Sequence, residues 1–188
     1  MKDKDDKIKI FSGFTVSEKF KDAFDHFQNQ NKDLTNVRWT PKANLHLTLW
    51  FYGYISMELL ENVLALNTVL KTQMNSTTLT LSKLKIAPTN QNGRMVWASY
   101  EPNKAFKEWI GLHDLLLPKL NLGERDYKQI RPHVTLARFK ENKYQNKDFE
   151  TQNHQFPPTL DLNTLIIWES LLEDEKIVYK QLISNILM

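Results

Sequence analysis

The chain has 188 residues, enough for one domain or for two small lobes around a shared core. Hydrophobic residues at 41% and charged residues at 25% argue against disorder, while a net charge of +3 is too mild to announce a nucleic-acid binder by itself. With no cysteine, disulfides, zinc–thiolate sites and cysteine nucleophiles are excluded, a usage that fits a reducing cytoplasm.

The charged opening segment, residues 1–10, lacks the apolar stretch of a signal peptide, and no apolar run nears the roughly 18 residues of a membrane span. We therefore expect a cytoplasmic protein without a membrane partner. Residues 8–16 read as a first strand. Ser17 suits a helix N-cap, and Phe20, Ala23, Phe24 and Phe27 follow at helical spacing. Residues 31–44 are polar, with Pro41, and predict a loop. Residues 45–53 alternate: Leu45, Leu47, Leu49 and Phe51 fall on one face, His46, Thr48, Trp50 and Tyr52 on the other.

Residues 56–72 predict a helix with Leu59, Leu60, Val63, Leu66 and Leu70 on its apolar side. Strands are predicted at 77–86 and 94–101, with a turn at 88–93. A helix over about 103–117 carries Phe106, Trp109, Ile110, Leu112 and Leu116, and Pro118 ends it. In the strand at 129–139, Arg131, His133 and Thr135 share one face. Residues 140–158, with Pro157 and Pro158, predict a long surface loop, and two strands close the chain at 160–168 and 176–184. The order gives an α+β fold with mixed or antiparallel sheet, in a single domain spanning 1–188.

Two strands carry the same signal: His46-Leu47-Thr48-Leu49 and His133-Val134-Thr135-Leu136, each a few residues after a proline. A given histidine is followed by this pattern by luck roughly once in 80, so two copies among five histidines carry information that one would not. On a strand, a histidine and the threonine two residues on point the same way, about 6–7 Å apart, so one oxygen-rich group can touch both. Two such strands side by side would bring two imidazoles and two hydroxyls to one cleft. That set suits phosphodiester cleavage by in-line displacement: one imidazole takes a proton from water, the other gives one to the leaving oxygen, and the hydroxyls stabilise the charge building on phosphorus oxygens. None of this needs a metal or cofactor. The bland alternative is a pair of structural strand histidines, with threonines present for their β-propensity.

On these motifs the chain resembles the two-histidine phosphoesterase superfamily, and within it the bacterial and archaeal RNA 2′,3′-cyclic phosphodiesterases, also called the 2′-5′ RNA ligase family. The runs RWTPKANLHLTLWFYG (38–53) and RPHVTLARF (131–139) carry the likeness. The opening strand, the VWAS segment at 96–99 and the closing strand around Tyr179 fall in the expected order. The resemblance implies a bilobal, duplicated sheet-plus-helix architecture with pseudo-twofold symmetry and a central cleft. It implies His46 as proton donor, His133 as proton acceptor, Thr48 and Thr135 on the phosphate, a 2′-phosphate product, and RNA ends or small cyclic nucleotides as substrate; we expect a monomer.

Arg131, Arg138, Trp50, Tyr52 and Phe11 are further candidates for substrate contact. A basic residue follows the second motif in this branch, at the place of Arg138. By strict alternation Arg138 faces away from His133 and reaches the cleft only through a twist or bulge, whereas Arg131 has the matching parity. Some relatives carry two adjacent aromatics in the first strand; here Phe11 is followed by Ser12. His26, His113 and His154 lack a motif and read as structural or surface residues. Other cyclic or 2′-5′ linked nucleotides, or non-catalytic binding of an RNA end, are the competing functions.

Overall fold

The computed structural model describes residues 7–34, 37–87, 93–122, 131–139 and 149–187. Strand β1 (Lys7–Thr15) leads into helix α1 (Glu18–Gln30), whose N-terminus is capped as the sequence predicts: the Phe20 amide donates to Ser17 Oγ at 3.2 Å. Phe20, Phe24 and Phe27 bury the apolar side of α1. The predicted loop at 31–44 in fact holds a short strand β2 (Val37–Trp39) and a 3₁₀ turn (Lys42–Asn44). Three residues are too few to show a period. Strand β3 (His46–Ser56) then feeds helix α2 (Met57–Gln73), capped by Ser56 and buried through Val63, Leu66 and Leu70.

Strands β4 (Thr77–Ala87) and β5 (Met95–Glu101) form a hairpin; most of the turn predicted between them, residues 88–92, lies outside the described residues. Helix α3 (Lys104–Leu116) stops before Pro118, where a 3₁₀ turn takes over. Strand β6 runs from His133 to Phe139. Residues 129–130 of that predicted strand, and 140–148 of the predicted surface loop, lie outside the described residues. The remainder of that predicted surface loop is instead anchored in the core. Phe149 and Phe156, flanking a 3₁₀ turn at Glu150–Gln155, are buried against Phe27 with ring centroids 5.6 and 5.5 Å away. Polar composition between them hid two anchors that close one end of the core. The two closing strands become three: β7 (Thr159–Leu162), β8 (Thr164–Glu173) and β9 (Lys176–Ile186).

The described strands join one antiparallel sheet in the order β7-β4-β5-β6-β3-β1-β8-β9, with β2 on β6. The order is symmetric about the β6/β3 junction. On one side β5-α3-β6 is flanked by β4; on the other β1-α1-β3 is flanked by β8. The two halves are thus topological copies sharing a continuous sheet. Among the described residues no helix is long and apolar enough to cross a membrane.

Candidate active site

The two motif strands meet at a single pair, Leu47 opposite Val134, both fully buried. Because the pairing is antiparallel, His46 falls beside Thr135 and Thr48 beside His133, all on the face opposite those apolar anchors. Beyond this pair β3 and β6 part. The freed edge of β6 is taken by β2, and Thr40 continues the contact through its amide to Leu136 O at 2.9 Å and its hydroxyl to Thr135 O at 2.8 Å. The parting of the strands opens a cleft of about 620 Å³, lined by both histidines and both threonines.

Each histidine is held by the same device. The Nδ1–H of His46 donates to Asn44 O at 2.7 Å, and that of His133 to Arg131 O at 2.7 Å. In both cases the acceptor lies two residues upstream. Carbonyls only accept, so each ring carries its proton on Nδ1 and leaves Nε2 as a lone-pair base. Thr48 Oγ1 lies 3.0 Å from His46 Nε2 and donates to it. The 3₁₀ turn carrying Asn44 is tied to α1 by Lys42, whose ammonium reaches Asp25 at 2.7 Å and Asp22 at 3.3 Å.

The surroundings of the two rings differ. His133 lies flat on Trp97, centroids 3.6 Å apart at 18°. His46 sits among Phe11 at 4.9 Å, Tyr179 at 5.2 Å and Trp168 at 5.6 Å. Burial lowers both pKa values against the lift from their backbone partners. For His133 the result is about 4, with His46, Arg138 and Lys85 adding repulsion. His46 is lowered as well, by burial first and then by Arg138.

The copies extend past the threonines. Opposite Ser12–Gly13, β3 carries an extra residue, so Leu49 and Trp50 both turn inward and Phe51 swings into the cleft. Opposite Val96–Trp97, β6 does the same: Leu136 and Ala137 both turn inward and Arg138 swings into the cleft. Phe51 and Arg138 therefore occupy equivalent positions, three residues after each threonine. Two consecutive apolar residues after the motif threonine, Leu-Trp and Leu-Ala, are the sequence trace of the bulges.

The bulges relocate several candidates. Arg138 and Phe11 line the cleft with the motif residues. Trp50 and Tyr52 do not. Trp50 is 4% exposed and stacks on the buried His113 at 5.4 Å and 12°, and Tyr52 packs on the core, so neither faces the cleft as strict alternation predicts. Arg131 keeps its side chain outside the lining and contributes its carbonyl to His133 instead. His113 is core, whereas His26 and His154 are exposed.

Residues without a motif complete the walls: Lys9, Arg38, Thr40, Ser170, Ile177 and Tyr179. Asn44 Nδ2 also donates to Ile177 O at 2.8 Å, fastening the β8–β9 hairpin to the turn that holds His46. Lys9, Arg38 and Arg138 are cationic, and among the described residues no Asp or Glu lines the cleft, so the site suits an anion. Among the described residues no three His, Cys, Asp or Glu side chains gather as metal ligands.

The chain is similar to several known proteins. A family model described as LigT-like phosphoesterase matches residues 15–97, a span that includes the first motif. An RNA 2′,3′-cyclic phosphodiesterase of Methanocaldococcus jannaschii is 25% identical over 143 residues, covering 75% of this chain and 78% of the relative. A crystal structure of E. coli LigT complexed with 3′-AMP superposes with a TM-score of 0.77 at 18% identity, covering 96% of this chain and 98% of that one. A Thermus thermophilus protein superposes with a TM-score of 0.76 at 23% identity and the same coverage. The structural likeness is one of fold.

Proposed function

We propose that this LigT-like phosphoesterase hydrolyses 2′,3′-cyclic phosphates at RNA ends to 2′-phosphates, with His46 as proton donor and His133 as proton acceptor. The observation that carries the reading is the pair of imidazoles, each pinned through Nδ1 to the carbonyl two residues back, facing one cationic cleft. The cyclic phosphodiesterase relative and the neighbour crystallised with 3′-AMP support the substrate class.

In the reaction His133 Nε2 takes a proton from water as its oxygen bonds to phosphorus. The bond from phosphorus to the 3′ oxygen breaks on the opposite side, and His46, protonated at Nε2, gives its proton to that oxygen. One water is consumed, a 2′-phosphate and a 3′-hydroxyl result, and solvent resets the two rings. Thr135 and the hydroxyl of Thr48, freed once His46 Nε2 is protonated, serve the non-bridging oxygens.

The burial of His133 suits the role of base. His133, lowered to about 4, stays neutral across the physiological range, as a base must. His46 must be protonated before it acts. An anionic phosphate in the cleft favours the imidazolium and so offsets its burial.

The test is hydrolysis of a nucleoside 2′,3′-cyclic phosphate in excess EDTA with identification of the product isomer. A 2′-phosphate is expected, with His46→Ala and His133→Ala each slower by roughly 10²–10⁴-fold. Full activity in either variant, or a 3′-phosphate product, would overturn the assignment.

A further inference from the structure

Arg38 and Arg138 are direct partners across β2 and β6. Like charges directly opposed on an antiparallel pair destabilise it, and β2 is only three residues long. Among the described residues neither guanidinium has an acidic partner, and Arg138 Nη1 instead donates to Met95 Sδ at 2.8 Å. Both arginines line the cleft, and Tyr179 stands close enough to feel the charge of each. An uncompensated pair held face to face is what a bound anion would neutralise, since two guanidinium forks can share one phosphate.

Of the two, Arg38 stands further from the histidine–threonine centre: the charge of Arg138 acts on both His46 and His133, that of Arg38 on neither. Arg138 lies three residues beyond Thr135, about 10 Å along an extended strand, less what the bulge takes up. One phosphate held by Thr48, Thr135 and the imidazoles leaves the β2 end of the cleft open for another. The cleft volume of about 620 Å³ exceeds what a lone phosphate requires.

We propose that Arg38, with Arg138, forms a second anion subsite that grips a phosphate the enzyme does not cleave, so that the preferred substrate is a nucleotide carrying a further phosphate, as every RNA end longer than one residue does. This rests on the hydrolase reading for the identity of the first phosphate, but not for the existence of the second subsite.

The experiment compares adenosine 2′-monophosphate with adenosine 2′,5′-bisphosphate as ligands, by calorimetry, on the wild type, Arg38→Gln and Arg38→Lys. The wild type is expected to bind the bisphosphate roughly 10- to 100-fold more tightly. The ratio collapses toward one in Arg38→Gln and survives in part in Arg38→Lys, whose charge is kept. A wild-type ratio near one, including failure to bind either ligand, overturns the subsite. So does a ratio that Arg38→Gln leaves unchanged. A ratio that behaves as expected in a protein that hydrolyses no cyclic phosphate would instead refute the hydrolase reading and leave the subsite standing.

Discussion

Substituting His113 by Phe isolates the support beneath the active site. His113 is fully buried, donates through Nδ1 to Trp109 O at 3.1 Å, and stacks on Trp50 at 12°. Among the described residues its Nε2 has no hydrogen-bond partner. Burial lowers its pKa from 6.5 to about 4. Above 6.5 the ring is neutral folded and unfolded, and the shift has no effect on stability. As pH falls below 6.5 the unfolded chain takes up the proton first, so the native state loses stability until it too is protonated near 4. Over the whole window the loss is about 3 kcal/mol, and at about pH 5 it is about 2 kcal/mol. Phenylalanine keeps the stack and cannot titrate. In urea unfolding followed by tryptophan fluorescence, the wild type should lose about 2 kcal/mol more than His113→Phe between about pH 8 and pH 5. The titrations of His46 and His133 are common to both proteins and cancel. Equal losses in the two proteins would refute the reasoning.

The same logic gives the pH dependence of catalysis. His133 must be neutral and His46 protonated, so in the free enzyme kcat/KM should rise through about 4 and fall again below 6.5, because His46 is also lowered. A profile still climbing at about pH 8 would contradict the pair. Gly13 tests the backbone under the site: a Cβ there would stand 2.2 Å from Leu47 O, on the strand between His46 and Thr48. Gly13→Ala should destabilise by about 1–3 kcal/mol and lower kcat more than the fold, since it pushes β1 off the motif strand. Wild-type stability and kcat in this variant would show that β3 yields freely.

The motif histidines and threonines were readable because strand alternation places His and the second-next Thr on one face without reference to anything distant, and Leu47 and Val134 behind them are buried as their hydrophobicity requires. The helices were readable for a like reason: local spacing and caps such as Ser17 settle them. Strict alternation failed one residue past each motif. A bulge depends on register against the neighbouring strand, and that register is set by β1 and β5, far away in sequence. Hence only the tertiary structure could turn Arg138 and Phe51 into the cleft and Trp50 out of it.

Tyr179, on the last strand, meets His46 on the third, and Arg38 meets Arg138 only because β3 and β6 part after one pair and leave an edge for β2. The buried anchors Phe149 and Phe156 were hidden in a polar segment for the same reason. Chemistry carried by neighbours two residues apart was determined by the sequence itself; the walls, the second cation and the asymmetry between the rings were decided by which strands came to lie side by side.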